Sequence, residues 1–170
     1  MIDVQEVNRL SAAFNQVREE IERRRARFTE ETQREQGRWR EEQQALAAAR
    51  ATLPPETLRE RERALQDRIT DAQRVFRDRQ RAIEAATQVG LQQYEQALGA
   101  VIRQVASSRG INLVLPRPLI VYNDAGFDIT DEVVAQLNRV LRTVNLPADG
   151  VMPGEGAPTP PAAAAPPRQG

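Results

Sequence analysis

The chain has 170 residues, and its 24 basic residues, all arginine, balance 24 acids to a formal charge of zero. That balance argues against nucleic acid as the main partner, because phosphate binding needs a net basic surface. With no cysteine and no histidine, disulfides, thiolate nucleophiles and the usual zinc ligands are excluded, and no apolar run reaches the ~20 residues that span a bilayer.

Met1 to Val7 alternates weakly and reads as the end of a strand, with Asn8 or Ser11 placed to cap the helix that follows. Leu10, Phe14, Val17 and Ile21 then form one stripe of an amphipathic helix. Beyond Ile21 the stripe thins to Phe28, Trp39, Leu46 and Leu53, at steps of seven, eleven, seven and seven. Heptad steps mark a coiled-coil seam, and the longer step is a stutter in it. Thr52-Leu53-Pro54-Pro55 stops the helix, and Glu56 starts a return leg at once, so the break is a tight reversal. Leu58, Leu65, Ile69, Ala72, Phe76 and Ile83 continue the seam, and the return leg regains the base near Gly90.

Residues 22 to 82 hold nine large apolar side chains, whereas residues 83 to 144 hold 24. A compact core therefore draws on the second group and the N-terminus, while the middle of the chain projects into water as a long antiparallel helical hairpin. Leu91, Tyr94, Leu98, Val101, Ile102 and Val105 thicken the stripe before Gly110 ends the helix. Ile111–Leu115 and Leu119–Tyr122, joined by Pro116-Arg117-Pro118, read as a β-hairpin apolar on both faces. Thr130 is placed to cap a last helix carrying Val133, Val134, Leu137, Val140, Leu141 and Val144. From Leu146 onward the chain contains seven of its eleven prolines, a composition expected to be disordered.

The fold class expected from this pattern is α+β: a small β-rich body through which copies of the chain associate, a long helical hairpin and a disordered Pro/Ala-rich tail. The divisions are residues 1–13 (first strand and start of the body), 14–84 (arm, turning at 52–56), 85–145 (body) and 146–170 (tail). Hairpin faces apolar on both sides call for a second copy of the chain, with Ile111, Leu113, Leu115, Ile120 and Tyr122 expected at the interface.

Strand, long charged hairpin, β-hairpin and terminal helix together resemble the Skp/OmpH family of periplasmic chaperones for outer-membrane proteins. The residues that carry the resemblance are Ile2-Asp3-Val4-Gln5, Gly110–Leu115, Tyr122, and Asp128-Ile129-Thr130 with Val133 and Leu137. It implies a homotrimer, with the β-rich body as a trimerisation body and helical arms enclosing a cavity, and an ATP-independent holdase for unfolded outer-membrane proteins in the periplasm. Members of that family carry a signal peptide and a full first strand; here Met1 leads directly into IDVQEV, so the expectation is a shortened N-terminus. The best-known members have strongly basic arms, whereas residues 14 to 84 here carry 17 arginines against 15 acids. Client contacts are therefore expected at the seam residues Phe28, Trp39, Leu46, Leu53, Leu58 and Phe76, unless core packing occupies them.

Other readings are weaker. Asp124, Asp128, Asp131 and Glu132 lack the alternation and closing glutamate of a calcium loop, and helix capping accounts for most of them. No metal or other cofactor is expected, and no pocket, base or nucleophile accompanies the acids, so no enzyme is expected either. A prefoldin-like chaperone would place its β-hairpin between the two helices, whereas here the hairpin follows both. A coiled-coil spacer or adaptor in an envelope assembly remains the alternative.

Overall fold

The computed structural model describes residues 1–154. Four helices dominate it: α1 (Val4–Leu10), α2 (Ala12–Ala49), α3 (Pro55–Ser108) and α4 (Thr130–Val140). At ~1.5 Å per residue, the 38 residues of α2 extend about 57 Å and the 54 of α3 about 81 Å. The two run antiparallel, and α3 continues past the start of α2 into the body.

The opening segment is helical where a strand was expected. Asp3 accepts a hydrogen bond from the Glu6 amide (3.1 Å) and so starts α1, whose Val7 is fully buried. Ser11 breaks the helix with an extended backbone, and its hydroxyl caps α2 by accepting from the Phe14 amide (3.3 Å). Asn138 of α4 closes this break. Its Oδ1 accepts from the Ala12 N–H (2.9 Å), and its Nδ2 donates to the Leu10 carbonyl (3.0 Å).

Residues 50–54 form the tip of the arm. Pro55 stands at the first position of α3, where a missing N–H breaks no helical hydrogen bond. At the other end of α3, Gly110 takes φ +66°. The Gly110 amide bonds the Ser107 carbonyl (3.2 Å) and the Ile111 amide bonds that of Ala106 (2.8 Å), a Schellman stop.

The β-rich body does not form. Among the described residues there is no strand, only an isolated parallel bridge between Ile2 and Pro116. It rests on Ile2 N–H to Leu115 O (3.0 Å) and Arg117 N–H to Ile2 O (2.8 Å). Pro116 and Pro118 supply no N–H to a ladder. Arg117–Leu119 winds into a 3₁₀ turn, a short connection that does not lay Ile120–Tyr122 along Ile111–Leu115. The body is instead a helical cap: α1 and α4 close over the base of α2 and α3. Val7, Val133 and Leu137 have no exposed surface, and Ile129, Tyr94, Val101 and Val105 pack with them.

The first helical residue of α4 is Thr130, Ile129 stands at the N-cap position without a side-chain bond, and Asp128 just before it satisfies the opening amide. Asp128 Oδ1 accepts from the Thr130 amide (2.9 Å) and hydroxyl (2.6 Å), while Thr130 Oγ1 accepts from the Asp3 amide (2.9 Å). Burial pushes the Asp128 carboxyl upward, but the two bonds from Thr130, together with the nearby N-terminal ammonium and Arg117, hold it below the ordinary aspartate range.

The chain beyond α4 also departs from expectation. The tail was expected to be disordered from residue 146, yet residues 141–151 lie as a strap across the base of the arm. Its remaining part, from residue 155 on, falls outside the described residues. Val144 is buried, and Leu146 lies against Gly90 of α3 and packs on the core.

Leu137→Ala is expected to cost about 2–5 kcal/mol in urea unfolding, as a fully buried leucine leaves a cavity. Asp128→Ala should cost about 1 kcal/mol through loss of its bonds to Thr130. Because the folded-state Asp128 is held low, its contribution is complete above the ordinary aspartate range and disappears as pH falls through the lowered value. Wild type and variant should therefore converge in stability in acid.

Candidate functional site

Two surfaces lead away from the core, although Phe28, at the inner end of the first, also packs against it. The first is the seam of the arm. Phe76 projects from α3 between two aromatic residues of α2, edge-on to Phe28 (ring centroids 6.0 Å, 83°) and tilted against Trp39 (6.1 Å, 36°). All three rings are half-buried, so each keeps a solvent-facing part. Edge and tilted geometries suit the ring quadrupoles and hold the helices together with little apolar area. Further out, Leu46 and Leu65 are buried, and Leu53 and Leu58 are half-buried at the tip. Of the six expected contact residues, then, Phe28, Trp39 and Phe76 meet in one cluster. Leu46 is consumed by packing, and Leu53 and Leu58 lie apart.

Around the seam the arm is held by ion pairs, most of them exposed, with Arg79 of the Arg79–Glu31 pair half-buried. Arg68–Glu42, Arg79–Glu31 and Arg50–Glu62 cross from α3 to α2 or back, while Arg34–Glu30 and Arg38–Glu35 lie within α2. The exposed pairs contribute little each in high-dielectric surroundings. At the base the chemistry changes. Arg24 is buried, and its hydrogen bond (2.8 Å) chiefly holds Glu20 below the usual carboxylate range.

The second surface is the non-helical stretch between α3 and α4. Leu113, Leu115, Ile120 and Tyr122 line one shallow groove of about 310 Å³ with Met1 and Phe127. Leu113 is 68% exposed, Tyr122 81% and Phe127 64%, values far from those of a core. Ile111, expected on the same surface, turns the other way and packs on the core. Leu119, Val121 and Phe127 are exposed apolar residues that the strand reading did not single out. Their signal was available in the two prolines, which limit pairing on either side of Arg117. Polar bonds fix the stretch: Tyr122 Oη donates to Asp124 (2.9 Å), and Arg109 donates to the Gly126 carbonyl (3.2 Å) and pairs with Glu132 (3.6 Å). Asp124, Asp128 and Glu132 thus each have a structural partner. An apolar surface held open by polar ties is characteristic of an interaction site.

Stability should fall along the arm from base to tip, because burial per turn falls in that direction. In hydrogen–deuterium exchange, amides of residues 36–66 are expected to exchange much faster than those of residues 86–106. Equal protection of the two stretches would contradict a thin seam.

No curated protein sequence matches the chain. A solved structure from Caulobacter crescentus CB15, described as an OmpH-like outer membrane chaperone, superposes with a TM-score of 0.75. The two are 25% identical, and the match covers 85% of this chain and 86% of that one. Residues 1–137 match the family model described as outer membrane protein (OmpH-like). With α1 to α3 and most of α4 inside that match, the chain belongs to the OmpH-like family.

Proposed function

We propose that this protein is an ATP-independent holdase chaperone of the periplasm that keeps unfolded outer-membrane proteins from aggregating. Family membership and the likeness to an OmpH-like outer membrane chaperone support a chaperone role. The observation that carries the finer reading is the aromatic cluster Phe28–Phe76–Trp39 on an arm with few other apolar residues. Half-buried rings in a weakly held seam can exchange arm packing for client packing at small net cost, the strategy of promiscuous binders. Arms with an excess of only two positive charges attract clients weakly over distance, since exposed charges are largely screened at physiological salt beyond ~8 Å. Apolar contact then supplies most of the hold.

The exposed groove of Leu113, Leu115, Ile120 and Tyr122 is the surface through which copies of the chain associate, as a homotrimer in this reading. Association buries apolar side chains that one chain leaves in water. Leu113→Asp is expected to yield monomers in light scattering, because a charge in that contact would be desolvated without a partner. As Leu113 is exposed in the single chain, the variant should keep its helical circular dichroism.

The decisive experiment is suppression of aggregation of a urea-diluted outer-membrane β-barrel protein. Wild type is expected to suppress it, and Phe28→Ser with Phe76→Ser to weaken holding while the oligomer persists. Raising salt from about 50 to 500 mM should change client affinity by less than about tenfold, or ~1.4 kcal/mol. A chain that leaves aggregation unchanged is a spacer or adaptor, not a holdase.

A further inference from the structure

The strap at the base of the arm is held in an unusual way. Gln16 of α2 accepts from the Val144 amide (3.0 Å), and Gln93 of α3 donates to the Asn145 carbonyl (2.9 Å). Arg24 of α2 donates to the Pro147 carbonyl (2.9 Å). Three side chains from both helices therefore grip the strap by its main chain, which every polypeptide has.

Side-chain recognition is confined to two places. Gly90 is buried, and a Cβ added there would stand 2.8 Å from Leu146 Cδ2 and 3.0 Å from Val17. The missing side chain is what lets Leu146 sit down between α2 and α3. Three residues on, Asp149 Oδ2 meets Arg27 of α2 (3.2 Å) and Arg79 of α3 (3.4 Å). The other carboxylate oxygen is buried and has no partner among the described residues, which weakens the strap's own hold. The strap also lies past residue 137, where the family match ends.

We infer that the groove between α2 and α3 at the base of the arm is a binding site for extended polypeptide, occupied in cis by residues 144–149 and opened to clients when the strap is displaced. The inference rests on the holdase reading and gives it a second contact region. Its occupant is an unfolded, extended segment presenting one apolar side chain with a carboxylate three residues later. Main-chain bonds make the site tolerant of sequence, and the Gly90 seat and the arginine pair set its preference. The strap keeps the groove covered when no client is present and lowers apparent affinity by the fraction of time it is seated: a strap seated nine-tenths of the time costs about tenfold.

The chain has no cysteine, so Asn145→Cys, at an exposed side chain, carries a single nitroxide on the strap of the full-length protein. Its spectrum is expected to be immobilised alone. It should become mobile on adding either a peptide of residues 142–151 or an unfolded outer-membrane β-barrel protein. In the unlabelled full chain, Leu146→Ser should bind the fluorescein-labelled peptide about tenfold more tightly than wild type does, and adding Gly90→Leu should abolish the gain. A spectrum that stays immobile while the client is held soluble overturns the inference and leaves the holdase reading intact. Strap release by the peptide without suppression of aggregation does the opposite. A Leu146→Ser variant of native helicity with unchanged peptide affinity also overturns it.

Discussion

An arm of two long helices with a thin seam needs its ends anchored, and the anchoring is done by the burial of α4 at the base. Val133 and Leu137 pack with Val7 of α1 and with Val101 and Val105 of α3. Ile129 enters the same core just before α4 begins. Helix formation alone would not hold this arrangement, because isolated helices draw little stability from propensity in water. The cap also resolves a backbone problem. The break at Ser11 lets α1 fold over the base, and Asn138 satisfies the groups freed at that break.

From this anchor outward the forces holding the arm change character. At the base the Phe14 and Tyr94 rings meet at a tilt (centroids 5.2 Å, 56°), and the Tyr94 hydroxyl donates to Asn8 (2.7 Å). In the middle three half-buried rings suffice, and near the tip the seam rests on Leu46 and Leu65. Ion pairs flank the whole length, and the exposed ones toward the tip are each weak. The gradient joins structure to function: a firmly held base carries an arm whose outer part can yield. The strap lies where the gradient begins, bridging α2 and α3 through Asp149.

The stretch between α3 and α4 shows why apolar composition is an incomplete guide. Its residues are those of strands, yet a strand exists only with a partner, and among the described residues the one bridge is made by Ile2. Leu113, Leu119, Val121 and Tyr122 consequently face outward. What the run encodes in the single chain is an exposed apolar surface, tied down by Arg109 and by the Tyr122–Asp124 bond.

The two long helices and the stops between and after them were legible from the residues themselves. Pro54-Pro55 dictates a reversal, Gly110 dictates a left-handed stop, and the sparse heptads from Phe28 to Phe76 dictate a two-helix arm, because each follows from local backbone chemistry or periodicity. The resemblance carried by GINLVL, Tyr122 and DIT identified the family on short motifs. Tertiary structure alone decided the rest. Val4 to Leu10 became helix, started by Asp3, which meets Thr130 across the fold, and local alternation is blind to a partner 127 residues away. Leu146 to Asp149 became a strap because Gly90 and two arginines, far apart in sequence, leave a seat that fits it. Proline-rich composition registers how little a segment can bury by itself; whether another part of the chain offers it a groove is a property of the folded surface.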